Sequence, residues 1–453
     1  MKKLIAGLAS LVSMAVFADF AFAGGVDSKT NLSTGYHRNP SRNTEHERPE
    51  AALYNIAGTG FMKNGLYVEV GNQFVFKDYS NTYDGTSISG YMDNGDEFKD
   101  EEMVFFYPDA NIVYKHDKFA VFGGFAVAGG GGTLNYDDGT AATVGLLAKN
   151  ALSAASAAIK AGASGQTAMA AKYSAIAQGL SGAAKNHSLS VYSVTYGETM
   201  GAAYQINDMV SVSAAARLLE SQQNLTLSSS NSYWKAINGG ADAGYDAFGF
   251  GVGGIFGVHV KPMESIDVAL QYKTITKMNV EFKSMKGNLA SSLLSDAKKG
   301  DSYYNDMPAE INAGIGYRVI SPLYINTSFN YYFNKQASIS NALDSDSKMD
   351  YNNSWEWGGG IDYTINEKVL ASFGAMYSHQ GSNSEANNLF APVLDCVNIG
   401  LGVEVKPIEK LAITAGGVYA KYFEKDYELS GANLKLNKEV FLFSIGATYK
   451  FDL

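Results

Sequence analysis

Phe441-Leu442-Phe443-Ser444-Ile445-Gly446-Ala447-Thr448-Tyr449-Lys450-Phe451-Asp452-Leu453 is the stretch from which the fold follows. Phe441, Phe443, Ile445, Ala447, Tyr449, Phe451 and Leu453 fall on one side, and Ser444, Gly446, Thr448, Lys450 and Asp452 on the other. A period of two means an extended strand with one greasy and one polar face. In water that greasy stripe would need a core to cover it; facing hydrocarbon it needs none.

The same rhythm recurs along the chain. Leu66, Val68, Val70, Phe74 and Phe76 oppose Glu69, Gly71, Gln73 and Lys77. The alternation predicts fourteen strands, near 66–77, 104–115, 119–128, 189–206, 210–222, 246–260, 266–282, 307–319, 323–335, 353–365, 369–379, 393–405, 411–424 and 438–453. Short turns at 115–118, 207–209, 261–265, 320–322, 366–368 and 406–410 alternate strictly with long connections. That asymmetry belongs to outer-membrane barrels, whose short turns are periplasmic and whose long loops are external, with an even strand number and both termini in the periplasm. A soluble sandwich also alternates, but it explains neither the turn asymmetry nor outward Phe329, Tyr331, Phe333, Trp355, Trp357 and Tyr363, which suit an interfacial aromatic belt. The expected fold class is therefore an all-β, 14-stranded antiparallel transmembrane β-barrel.

Targeting and composition agree. Lys2 and Lys3, the 14 residues Leu4 to Phe17, and Ala21-Phe22-Ala23 read as the basic, apolar and cleavage regions of a secretory signal over residues 1–23. The competing reading, an uncleaved anchor, needs about 20 apolar residues. Without residues 1–23 the chain has 33 basic and 44 acidic residues, a net charge of -11. Such a balance argues against nucleic acid as a partner. Cys396 is alone, so no internal disulfide is possible. The expected location is the cell outer membrane, as a multi-pass barrel and a monomer, with outer-membrane lipid around it and the barrel assembly machinery as its partner during biogenesis.

Two segments escape the strand pattern. Residues 24–64 are polar and irregular, and precede the barrel of 65–453; they read either as a disordered tail or as a plug within the lumen. Residues 141–185 hold 17 Ala in 45 positions, and the period shifts toward 3.6. Met169, Tyr173, Ile176 and Leu180 share one helical face, and a break at Gly162 to Gly165 separates it from a helix with Leu147, Ala151, Ala155 and Ile159. This helical external loop is either a lid on the rim or an apolar capture surface.

At the join to the first strand, Ala51-Ala52-Leu53-Tyr54-Asn55-Ile56-Ala57-Gly58 is followed by Gly65-Leu66-Tyr67-Val68-Glu69-Val70-Gly71-Asn72-Gln73-Phe74. This join resembles the long-chain fatty acid transporter (FadL) family, in which an Asn-Pro-Ala element ends an N-terminal hatch. Asn55 and Ala57, with Gly58 after them, match; Ile56 stands where that family has Pro. The resemblance implies a barrel closed by its hatch, passive uptake of hydrophobic small molecules such as long-chain fatty acids or aromatic hydrocarbons, and lateral release beside an inward kink in the third strand. Gly123 and Gly124, followed by Gly129 to Gly132, are the residues here that would permit such a kink.

The strand registers point Gly249, Gly251, Gly253, Gly314, Gly316, Gly358, Gly360, Gly400 and Gly402 inward. A wall without side chains leaves room for the hatch, or else relieves curvature strain. Inward Arg217, Lys273 and Arg318 are candidate contacts for a ligand carboxylate, unless they pair with acids such as Glu310, Glu356 or Asp362. The six histidines, His37, His46, His116, His187, His259 and His379, show no metal-ligand spacing, so neither metal nor cofactor is expected. No Gly-x-Ser-x-Gly elbow occurs, and Gly249-Phe250-Gly251-Val252-Gly253 lies inside a strand rather than before a helix, so neither hydrolase nor dinucleotide chemistry is indicated. The rival readings are a general diffusion porin and a surface structural or adhesive protein; an outer-membrane protease or phospholipase is a weaker fourth.

Overall fold

The computed structural model describes residues 30–451 except 101, 289–296, 342–343, 349–350, 382–392 and 430–431. The expected leader at 1–23 lies outside the described residues. Fourteen strands form the wall: β1 (Gly65–Asp84), β2 (Met103–His116), β3 (Phe119–Tyr136), β4 (Ser188–Asn207), β5 (Val210–Ser228), β6 (Asp242–Met263), β7 (Ile266–Lys273, resuming as Asn279–Lys286), β8 (Glu310–Ile320), β9 (Leu323–Tyr332), β10 (Ser354–Asn366), β11 (Val369–His379), β12 (Cys396–Ile408), β13 (Leu411–Tyr422) and β14 (Ala432–Phe451). Each pairs antiparallel with its successor, and β14 returns to β1 from Leu66 opposite Phe451 to Asp84 opposite Asn433. The sheet closes on itself, so every strand finds partners on both sides without water.

The alternation is as the sequence requires. Val70, Phe250, Ile315, Trp357, Leu401, Phe443 and Ile445 are exposed on the outer face, while Glu356, Asn398 and Ser444 are fully buried on the inner one. Such a continuous apolar exterior identifies a membrane-spanning surface. Phe74 and Phe443 stack across the closing seam at 6.2 Å, and Phe329 and Trp357 are directly opposite one another on β9 and β10.

Strands run further at the loop end than the alternation indicated: β1 continues past residue 77 to Asp84, and β3 past 128 to Tyr136. Beyond Lys77 the positions that continue the outward register, Asp78, Ser80, Thr82 and Asp84, are polar, and Ser80 is buried. The amphipathic signal stops where hydrocarbon would stop, although backbone pairing continues. A second difference is in β7, where Thr274 to Met278 leave the ladder between the two halves of the strand.

The 141–185 segment is two helices, α3 (Ala141–Ala163) and α4 (Thr167–Lys185). A capping box at Thr140 and Thr143 opens α3, and Gly165 at φ 73° makes the turn between them. By length and composition α3 would suffice to cross a membrane. Its first half is instead buried at the loop end, with the Ala141 amide donating to Asn81 Oδ1 at 3.1 Å.

Candidate functional site: the internal segment and the chamber beside it

Residues 30–64 lie within the barrel, and the residues from Thr30 to Glu45 are all buried. Ser33 caps a single helical turn, α1 (Thr34–Arg38), by accepting from the Tyr36 amide. A second turn, α2 (Ala51–Tyr54), leads into a 3-10 helix over Ile56–Phe61.

Many polar residues of this segment bond to the wall, although His37 Nδ1 and Arg38 Nε and Nη2 are buried without a hydrogen-bond partner among the described residues. Asn31 donates to Gln73 at 2.7 Å, Thr34 to Asp109 at 3.2 Å, and Asn43 to the Ala313 carbonyl at 2.9 Å. Arg38 reaches Asp362 at 3.3 Å and also Ser372. Arg48 forks onto Glu404, with Nη2 to Oε1 at 3.1 Å and Nε on Oε2. Within the segment, Arg42 bridges Glu45 and Glu50. Burial pushes the Glu45 carboxyl up, but Arg42 and then Arg48 outweigh it and hold that group well below the usual carboxylate range. Burial, outweighing the opposing hydrogen bond to Gln73, takes His37 down to about 3, so its imidazole is neutral beside Gln73 and Asn31.

Asn55, Ala57 and Gly58 form the end of this segment. The Asn55 side chain accepts from the Gly58 amide at 3.3 Å, and its Nδ2 lies 3.0 Å from the Glu45 carbonyl and 2.7 Å from His259 Nδ1. A Cβ on Gly58 would collide with the Glu45 carbonyl, which accounts for glycine there. The Ile56 amide donates to Gln271 Oε1 at 3.0 Å, and its side chain is buried with Met62, Val113, Phe122 and Ile255. Proline has no N–H to make that bond. Here the Gln271 side chain secures from the wall what a ring would fix locally.

The inward glycines divide into groups. Gly314 lies against Asn43 and Thr44, Gly360 against Asn39, and Gly400 against the His37 carbonyl and Pro40. Gly374 and Gly416 join this surface against Asn39 and His37, although the registers drew no attention to them. Gly249, Gly251 and Gly253 lie instead beneath Thr276, Lys277 and Met278, the stretch where β7 leaves the ladder. Gly316 lies under the Tyr324 ring, and Gly358 and Gly402 face the backbone of the neighbouring strands at Ala375 and Ala415.

The basic candidates also separate. Arg217 and Lys273 meet around Glu310, with Arg217 Nη1 at 3.9 Å and Lys273 in direct ion-pair contact. Arg217 further bonds Thr276 Oγ1 at 2.8 Å and the Thr274 carbonyl at 3.0 Å. Arg318 is elsewhere, paired with Glu47 at 3.3 Å near the turn end. Beside the Arg217–Lys273–Glu310 cluster is a chamber of about 40 Å³, lined mainly by Leu32, Leu53, Ala126, Leu219, Ile255 and Met307. That volume holds a few waters and no larger molecule, so a ligand would have to displace the internal segment or the wall.

The wall is irregular beside this chamber. β2 and β3 pair only from Ala110 opposite Phe125 to His116 opposite Phe119. Among the described residues, beyond that point β2 pairs with β1 alone and β3 with β4 alone. Gly123 and Gly124 keep regular pairing on both sides, and the register breaks come later, between Val127 and Gly132. Gly130 and Gly132 sit at φ 84° and 85°, a conformation that side chains disfavour. On β2 the register shifts opposite Gln73 to Val75, leaving consecutive Phe105 and Phe106 exposed on the outside.

In the helical hairpin, Tyr173 and Leu180 are buried, and Ile176 packs at the edge of the core. Met169 and Ile159 are exposed near its tip, where an open concavity lies between Gly165 and Tyr173. The predicted face thus packs along most of its length, with its first residue free of the core.

No protein-family model and no curated protein matches the sequence. Solved structures do. A Pseudomonas aeruginosa FadL homologue superposes with a TM-score of 0.65 at 14% identity, covering 95% of this chain and 100% of that one. The chain has the FadL fold. The P. putida toluene transporter TodX follows at 0.62 and 13% identity, covering 95% of this chain and 100% of its own. The Ralstonia pickettii toluene transporter TbuX gives 0.58 and 13%, covering 94% and 100%. All of these FadL-fold proteins are described as FadL homologues or transporters.

Proposed function

We propose that this outer-membrane barrel passes hydrophobic small molecules by diffusion, through the chamber beside Leu32 and Leu53 and out sideways between β2 and β3. The observation that carries the reading is the lapse in pairing beyond Ala110 and Phe125. Ala126, which lines the chamber, is the next residue along β3, so the apolar cavity and the unpaired wall are contiguous. Phe105 and Phe106, exposed beside the lapse, give an apolar molecule a surface to follow into the surrounding lipid. The FadL-fold neighbours described as toluene transporters support an apolar cargo. Residues 30–64 act in this reading as the hatch, 1–23 as the removed leader, and the barrel works as a monomer inserted by the assembly machinery.

The cargo class follows from the charge at the chamber. Among the described residues Arg217 and Lys273 share one carboxylate, Glu310. Two cations against this one carboxylate, next to apolar walls, suit a long-chain acid better than a plain hydrocarbon.

Uptake of radiolabelled oleate and toluene into cells producing the chain provides the test. Ala126→Trp, which fills the chamber, should reduce both. Replacing Arg217, Lys273 and Glu310 together by Met, Met and Gln preserves volume without leaving an unpaired charge; it should reduce oleate uptake and spare toluene. Unchanged uptake in Ala126→Trp overturns the route, and equal loss of both cargoes in the triple variant overturns the acid preference. Large steady conductance of the wild type in planar bilayers would favour the open porin.

A further inference from the structure

We propose that His46, His259 and Asp267 form a binding site for a divalent transition-metal ion, zinc being the best fit, that ties the internal segment to the barrel wall. One candidate ligand atom from each lies within 4.8 Å of the other two. The three come from three elements: His46 from the loop before α2, His259 from β6 and Asp267 from β7. No spacing rule finds such a set, because folding alone brings it together.

The local geometry resembles a built ligand set more than a chance meeting. His259 Nε2 is 3.0 Å from Asp267 Oδ1, and His46 Nδ1 is 3.7 Å from the same oxygen. The two imidazoles meet edge to face with ring centroids 5.3 Å apart, so both can turn a nitrogen toward one point. Each ligand is held from behind. The Tyr324 hydroxyl donates to Asp267 Oδ2 at 3.1 Å, Asn55 meets His259 Nδ1 at 2.7 Å, and the Thr44 carbonyl accepts from His46 Nδ1 at 2.9 Å, which leaves Nε2 as the His46 nitrogen able to ligate. Outer partners of this kind fix tautomer and ring orientation in metal sites. Beside His46 a vestibule of about 390 Å³, lined also by Thr44, Glu45 and Tyr324, supplies entry and space for a water as fourth ligand. Two histidines and one carboxylate with an open fourth position is a donor set that zinc accepts, and copper or nickel would compete for it.

A cation already serves this place. Lys261 Nζ is 3.4 Å from Asp267 Oδ1, and its partly exposed side chain lies over the Phe61 ring. An arriving metal displaces that ammonium toward solvent. The proton on His259 Nε2 moves to Nδ1, and the Asn55 amide reverses to accept it, giving up its bonds to the Glu45 carbonyl and the Gly58 amide. The ion then links His46 of the internal segment to two adjacent strands, whatever molecule the barrel passes.

The detergent-purified, chelator-treated barrel should bind one equivalent of Zn²⁺ by titration calorimetry. His46→Gln and Asp267→Asn should each lose that equivalent while still migrating as folded barrels on unheated gels. A His116→Gln/His379→Gln double variant should keep it. Lys261→Met, which removes the competing ammonium, should bind more tightly than wild type. Zn²⁺ should also slow amide exchange over residues 41–62 in the wild type and not in His46→Gln. Absence of binding in the wild type, undiminished binding in both ligand variants, or weaker binding in Lys261→Met overturns the proposal.

Discussion

Replacing Arg48 by Ala should release the internal segment while leaving the barrel standing. Arg48 is the residue of that segment that forks onto a wall carboxylate, and Glu404 is almost fully buried. Breaking a buried pair by removing one partner costs roughly 3 to 5 kcal/mol. The lower end applies here, because Arg48 keeps an edge in solvent and Lys406 remains 3.7 Å from Glu404 to take part of the charge. About 3 kcal/mol corresponds to roughly two powers of ten in the balance between docked and released segment. The wall does not share that loss, since β1 to β14 make their own closed ladder. Hydrogen-exchange mass spectrometry on the purified barrel separates the two. Peptides from 31–62 should exchange on the order of a hundredfold faster, while peptides from β10 to β13 stay at wild-type rates. Arg48→Lys keeps the charge but loses the fork, and should fall between. Unchanged exchange over 31–62, or acceleration spread evenly through the wall, would refute the view that this pair docks an independent unit.

Two further outcomes follow from the same region. Gly400→Leu would drive a side chain into Pro40 and the His37 carbonyl, and overpacking of this kind costs about 1 to 3 kcal/mol; tryptic cleavage after Arg38 and Arg42 should accelerate without loss of the folded gel band. His37 is buried neutral at a value near 3, so a released segment binds a proton that the docked one refuses between about pH 6.5 and pH 3. Docking should therefore weaken as pH falls through that window, and His37→Asn should remove this part of the pH dependence, as read from exchange over 31–62 at pH 7 and pH 5.

The wall was legible because hydrocarbon on one side and a lumen on the other impose a period of two, which Phe441 to Phe451 display directly. Strand ends were harder: past Lys77 the chain still pairs but no longer faces lipid, so no alternation marks it. The departure of Thr274 to Met278 from the ladder was invisible, because Thr274, Ile275 and Thr276 keep a strand-like composition. The glycine run from Gly129 to Gly132 did signal irregularity, whereas Gly123 and Gly124, equally suggestive on paper, are regularly paired. For the internal segment, position before the first strand allowed a plug, but its contacts could not be read. Arg38, Arg48 and Asn55 find Asp362, Glu404 and His259 only once the cylinder has closed. The meeting of Arg217, Lys273 and Glu310 was partly anticipated from their inward registers; Arg318 shares that register on paper, yet its nearest acid belongs to the internal segment.

Closure of β14 onto β1 has a kinetic consequence. The two strands of that seam bracket the whole wall, so the cylinder cannot seal until its final strand is in place, and contacts of such sequence separation form slowly. The internal segment is joined to β1 directly at Gly65, the very margin of that seam. A chain whose last strand is delayed would therefore expose the segment and an unpaired edge together.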